Sequence, residues 1–273
     1  MSRPSSLSLI SQQTGYETKL FYRTPIAAFF TIVFPLMLLV VFGALFGSEE
    51  IEDLGVTVAQ YYAPALAVFA TASATYTNIG IGTASKRDEG ILKRVRGTPL
   101  PAWNFFAGVV VSATIVAAVA VTLMMTVGVF AYGIVIYPRT LPAAIVTFLV
   151  GVACFASLGL LLAAVAPSGP AATAIANATL LPLAFFSGLF VPPSSETPDW
   201  IITVGNIFPL KHFNEAFQKA FQPGTSGAQF TWDSLLYMAL WGVGALLLAL
   251  WLFKWENTPK SGRKTRQKAS ATS

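Results

Sequence analysis

His212 is the only histidine in the chain, and Glu215 follows it by three residues, a spacing that sets both on one helical face and would suit a proton relay. One imidazole without a histidine or cysteine companion makes a poor metal site, so no metal-ligating set is expected and the pair reads better as structural or interfacial. Cys154, the only cysteine, lies in an apolar run and reads as a small buried residue, with no intramolecular disulfide framework. A phosphate-cradling Gly-x-x-x-x-Gly-Lys-Ser/Thr loop is missing; Gly262-Arg263-Lys264-Thr265 lacks both its spacing and a preceding strand. No catalytic residue is assigned, and ATP hydrolysis by this chain alone is excluded.

The chemistry that remains is ionic and concentrated. Residues 85–101 hold five of the seventeen Lys and Arg, and an uncharged run over 97–138 follows. On a helical wheel Ile91, Leu92 and Val95 fall on one side and Lys93, Arg94 and Arg96 on the other, so a short helix here presents an apolar edge beside a cationic face and could dock onto another protein. Gly90 marks a break before it and Gly97 a stop after it. The alternative is a basic loop that only fixes topology.

The elements that position this stretch follow from composition. Hydrophobic residues make up 55% of the 273, charged residues 11%, and the mean hydropathy is +0.65, whereas a soluble domain carries about 25% charged residues. A polytopic membrane protein with one membrane domain is expected. The net charge of +5 reflects basic residues flanking apolar runs, which excludes a nucleic-acid surface. Six spans are read at 26–46, 56–81, 103–132, 141–166, 171–190 and 235–253. Residues 1–24 gather Leu9, Ile10, Tyr16 and Leu20 on one face and end in Lys19 and Arg23, the pattern of an interfacial helix; a cleaved signal peptide is rejected because the apolar stretch arrives late and runs long.

Glu49, Glu50, Glu52 and Asp53 read as a solvated loop more readily than as a cation site. The second span carries Tyr61, Tyr62, Tyr76 and Asn78, and polar groups at membrane depth need partners, so it should face protein or a pathway rather than lipid. The segment 201–210 is too short to cross a core that needs about 20 residues, and is read as re-entrant or interfacial. Fourteen of the seventeen cations fall on the side of 1–24, 85–101 and the tail, leaving Arg139, Lys211 and Lys219 opposite, so both termini are expected in the cytoplasm. The expected organisation is an interfacial helix (1–24), a six-span domain (25–254) and a basic tail (255–273).

The run from Arg87 to Leu100, RDEGILKRVRGTPL, resembles the signature between the second and third spans of type-2 ABC exporter permeases, the group that includes daunorubicin-resistance and polysaccharide-export permeases. Arg23-Thr24-Pro25, Phe34-Pro35-Leu36, Ser187-Gly188-Leu189-Phe190-Val191-Pro192, Pro198-Asp199-Trp200 and Phe208-Pro209-Leu210 ahead of Glu215 fit the same pattern in order and spacing. That pattern often has Thr and Glu where this chain has Ile91 and Lys93. The resemblance implies a multi-pass, all-α permease of the plasma (inner) membrane, a second permease subunit, and separate P-loop ATPase subunits that carry ATP and Mg. It implies that the N-terminal helix and the 86–97 helix contact those ATPases, with Arg87, Glu89, Gly90, Ile91, Leu92, Arg94 and Val95 as coupling residues. It also implies re-entrant helices at an outer gate, with Pro192, Trp200, Pro209 and Glu215. Tyr61, Tyr62, Tyr76 and Asn78 are the expected pathway lining. Their aromatic faces and scattered hydrogen-bonding groups suit an amphipathic drug-like or lipid-like cargo, with a lipid-linked glycan as alternative. An ATP-independent channel or a membrane-embedded enzyme would need, respectively, polar stripes on several helices or titratable groups inside the spans.

Overall fold

The computed structural model describes residues 5–98, 101–195, 197–223 and 227–253; the tail expected over 255–273 lies outside them. Among the described residues the regular structure is helical apart from an antiparallel hairpin of two short strands in the acidic loop, β1 (Glu50–Ile51) with β2 (Val56–Thr57), turned by Gly55 at φ +60°. That hairpin is the one departure from the all-α expectation among the described residues, and it marks one end of the bundle.

The first helix, α1 (Ser6–Tyr22), starts where the Ser5 side chain accepts from the Ser8 amide. Its Thr14 and Glu17 are buried while Leu7, Tyr16 and Leu20 stay exposed, so the polar side packs on protein and an apolar side is left for the membrane surface. The next helix covers Pro25–Phe46 as α2 (Pro25–Ala28), a π-helical turn (Phe29–Val33) and α3 (Phe34–Phe46). The π turn has a local cause. Pro35 offers no amide, and its ring would press on the Thr31 carbonyl in an unbroken α-helix.

The helix that follows is the axis of the fold. α4 (Val58–Ala72), a second π turn (Ser73–Thr77) and α5 (Asn78–Asp88) keep helical dihedrals through both joins. Every residue of 61–75 is buried, six of them alanines, and small side chains let neighbouring backbones close in. α4 packs on α3 and on α7 (Ala102–Tyr132), while α5 packs on α8 (Leu141–Val165) and α9 (Gly169–Phe186). α12 (Trp232–Leu252) lies along α8 and comes so close that a Cβ on Gly242 would sit 3.1 Å from Cys154 Cα. Cys154 is buried there.

Among the described residues, five helices are long and apolar enough to cross a membrane: Pro25–Phe46, Ala102–Tyr132, Leu141–Val165, Gly169–Phe186 and Trp232–Leu252. The helix over 58–88 is not among the five, although a span was expected there. Its Gln60, tyrosines, serines and threonines lower its hydropathy, and burial on all sides removes the need for a lipid-compatible surface. Between α9 and α12 run two short helices, α10 (Asp199–Ile207) and α11 (Pro209–Lys219). α11 is amphipathic: Leu210, Phe213, Asn214, Ala216 and Phe217 are buried against α4, α8 and α12.

Candidate functional site

At the end of the bundle away from the hairpin, three consecutive side chains of α5 reach three different elements. Successive residues of a helix point about 100° apart, so Lys86, Arg87 and Asp88 necessarily splay. Lys86 Nζ lies 2.5 Å from the Glu17 carboxylate of α1, with both side chains about nine-tenths buried. Gln13 Nε2 donates to Glu17 Oε1 at 2.8 Å, and the Phe105 ring of α7 stands 5.7 Å from Lys86 Nζ. Two ions removed from water this way are held by mutual attraction and by the hydrogen bonds around them, and neither tolerates loss of the other.

Arg87 works on the opposite side. Its Nη1 donates to the Ala163 carbonyl at 2.7 Å and its Nη2 to the Ala166 carbonyl. These carbonyls belong to the last turn of α8 and its cap, which have no helical donors of their own and carry the negative end of the helix dipole. Burial pushes the Arg87 pKa below its ordinary value and the neighbouring Asp88 charge pulls it back; a guanidinium stays charged throughout. Asp88 Oδ2 accepts from the Gly169 amide at 2.6 Å, at the N-terminus of α9 where a carboxylate is favoured. A Cβ on Gly169 would meet Ser85 Oγ at 2.6 Å, so glycine is what permits α9 to start against α5. One end of one helix thus fixes α1, the end of α8 and the start of α9.

α1 is held along its length as well. Thr18 Oγ1 pairs with Ser112 Oγ of α7 at 2.8 Å, and a Cβ on Gly108 would run into the Gln13 side chain at 2.5 Å.

Beyond Glu89, which is exposed, Gly90 takes φ +71° and turns the chain into α6 (Ile91–Arg96). Here the outcome differs from the sequence-based expectation of a free apolar edge. Leu92 is fully buried with Ile79, Phe105 and Val109, and Val95 packs against the same cluster while Ile91 is half-buried. The outward side of α6 is Lys93, Arg94 and Arg96. The cause is local: the turn at Gly90 folds α6 back toward its own bundle, and the nearest apolar surface takes its apolar residues.

The expected lining residues are also placed inward, each with a partner in the chain. Tyr61 Oη donates to the Gly188 carbonyl and Tyr62 Oη to the Phe190 carbonyl at 2.9 Å, while Tyr76 Oη pairs with Thr179 Oγ1 at 2.7 Å. Asn78 Nδ2 donates to Thr31 Oγ1 at 3.0 Å, and Thr31 Oγ1 lies 3.4 Å from Ser73 Oγ, which ties the two π turns together. At the hairpin end the four expected gate residues are dispersed. Trp200 is exposed and meets Phe186 edge-on at 5.9 Å, Pro192 is half-buried, Pro209 is buried in the first turn of α11, and Glu215 faces Lys211 at 3.7 Å. His212 Nε2 lies 3.0 Å from the Asn206 carbonyl of α10, and its ring is 4.1 Å from that of Tyr237. That makes it a brace between α10, α11 and α12.

The sequence family described as ABC-2 type transporter matches residues 9–221, which takes in Glu17, the whole 86–96 region and the starts of α8 and α9. The chain belongs to the ABC-2 type transporter family. Two relatives, each described as a probable multidrug ABC transporter permease YbhR, come from Escherichia coli strain K12 and Escherichia coli O157:H7. Each is 25% identical over 175 residues, 64% of this chain and 47% of the relative. The chain spans about half the length of the curated relatives it matches. As an ABC-2 permease it is a multi-pass membrane protein, and its densest buried ionic cluster lies beside the segment whose sequence resembles the family signature. Glu17 was the site residue that motif reasoning passed over. The available signal was that it is the only acid in the first 48 residues, with a basic segment over 86–96 to answer it.

Proposed function

We propose that this ABC-2 permease is the membrane subunit of an ATP-driven exporter, and that the Glu17, Lys86, Arg87, Asp88 node gathers the elements that a cytoplasmic ATPase moves. The observation that carries the reading is the three-way attachment of α5: a push on α6 or α1 cannot displace one of these elements without loading the others. The exposed charges Glu89, Lys93, Arg94 and Arg96 form the contact with the ATPase, and Gly90, Leu92 and Val95 hold α6 at its angle. ATP and Mg are bound by that partner.

The same reading takes the buried helix over 58–88 as a sixth crossing, which puts both termini with the cations on the cytoplasmic side. α10 and α11 are then re-entrant helices at an outer gate, and a second permease subunit completes the pathway. Tyr61, Tyr62, Tyr76 and Asn78 would line that pathway after the hydrogen bonds of this state exchange. The cargo is a hydrophobic or amphipathic drug-like or lipid-like compound, a choice supported by the aromatic character of these residues and by the multidrug description of the relatives. A lipid-linked glycan is the second reading.

Purification of the chain in mild detergent from its own membranes tests the partnership, and a P-loop ATPase should travel with it. In proteoliposomes that complex should hydrolyse ATP faster with amphipathic compounds, and Tyr76→Phe should change which compounds stimulate. A chain that purifies without any ATPase, or a complex stimulated by glycolipid precursors alone, overturns the first or the second part of the proposal.

A further inference from the structure

A groove of about 520 Å³ runs between α7 and α8 on the outside of the bundle, floored by Met125, Phe148, Phe217 and Phe221. On the α7 side it extends from Ala118 to Phe130, twelve helical steps or about 18 Å. Half of a ~30 Å hydrocarbon core is about 15 Å, so the groove covers one leaflet and stops near the midplane. Its walls are apolar apart from Thr122 and Thr126, and Phe130 and Ile145 on its rim are 86% and 57% exposed. The open end lies where α7 gives way to α8: Ile136 and Leu141 line it, and between them in the chain stands exposed Arg139, its guanidinium 5.9 Å from the Tyr137 ring. Across 97–198 no other described residue carries a positive charge.

We propose that this groove is a binding site for one anionic glycerophospholipid, with an acyl chain along Met125, Phe148 and Phe217 and the headgroup phosphate against Arg139. Three observations converge on that occupant. The groove's length matches one acyl chain in one leaflet, its lining is apolar but for the Thr122 and Thr126 hydroxyls, and Arg139, the one cation of residues 97–198, stands beside its open end at the depth of the headgroups. A guanidinium resting on a tyrosine ring at the membrane surface is suited to a phosphate oxygen. The site lies apart from the Glu17–Lys86 node and does not depend on what the permease exports.

The test is native mass spectrometry of the full chain purified in mild detergent and titrated with phosphatidylglycerol or phosphatidylethanolamine of identical acyl chains. One phosphatidylglycerol should be retained per chain, about five-fold more tightly than phosphatidylethanolamine, the worth of one surface cation toward an anionic lipid. Arg139→Gln should bring phosphatidylglycerol down to the level of phosphatidylethanolamine. Thr122→Phe, at an exposed rim position that tolerates a larger side chain, should weaken both lipids. Equal retention of the two lipids by the parent, or a preference that survives Arg139→Gln, overturns the proposal. A Thr122→Phe variant that keeps both lipids but loses a dimer assigns the groove to a second copy of the chain and overturns it as well.

Discussion

Removing the Glu17 carboxylate isolates a lysine inside the protein, and the size of the effect can be worked from the geometry. Lys86 Nζ and Glu17 are 2.5 Å apart with side chains 8% and 10% exposed, so water screens neither ion well. Breaking a buried pair by deleting one partner costs about 3–5 kcal/mol, because the survivor is left charged in a poor solvent. The Phe105 ring and Gln13 are what remains near Lys86 in Glu17→Ala, and neither neutralises it. For a chain of this length about 2 °C is lost per kcal/mol, which predicts a fall in the unfolding midpoint of about 6–10 °C. The molecule carries its own reporter: Cys154 is the only cysteine and is buried, so a thiol-reactive fluorophore lights up as the detergent-solubilised protein unfolds. Replacing the survivor too, in Glu17→Ala with Lys86→Met, removes the stranded charge and should recover most of the loss, since apolar substitutes for a buried pair are often neutral. The reasoning is refuted if the single variant unfolds at the parental midpoint. It is also refuted if the double variant is as unstable as the single, because the loss would then come from packing and not from charge.

Two further outcomes follow from the same end of the bundle and from the charge distribution. Gly169→Val should force α9 away from α5, since its Cβ would stand 2.6 Å from Ser85 Oγ, and break the Asp88 hydrogen bond with a cost of about 1–3 kcal/mol; Gly82→Ala, with nothing within 4 Å of the added atom, should leave the midpoint unchanged. In a Cys154→Ser background, single cysteines at Ser48 or Ser194 should react with an impermeant thiol reagent applied outside the cell and cysteines at Ser85 or Ser168 should not, and outside labelling at Ser168 would sink the six-crossing arrangement.

Much of the architecture was legible in the chain itself because a bilayer imposes a one-dimensional rule. A segment that crosses hydrocarbon must satisfy its own backbone and carry apolar side chains for about 20 residues, and the helices at Pro25–Phe46, Ala102–Tyr132, Leu141–Val165, Gly169–Phe186 and Trp232–Leu252 stand close to where that rule puts them. Turn chemistry was equally local: Gly90 and Gly133 sit in the left-handed region that ends or redirects a helix, and Ser168 caps α9 by accepting from the Ala171 amide at 3.2 Å.

What the sequence could not hold was partnership across the fold. The period of α6 showed that Ile91, Leu92 and Val95 share a side, but a helical wheel has no knowledge of what stands beside it, and only the fold put Ile79, Phe105 and Val109 there. The tyrosines of the axial helix announced that they needed partners; that those partners are the Gly188 and Phe190 carbonyls and the Thr179 hydroxyl depends on chain segments more than 100 residues away. Glu17 and Lys86 are 69 residues apart, and although Glu17 stands alone as an acid in the first 48 residues, nothing in the sequence pairs it with Lys86 in particular. Hydrophobicity and backbone preference act on neighbours in sequence and can be read along it, whereas an ion pair or a buried hydroxyl is specified only when packing brings two distant residues to the same dry place.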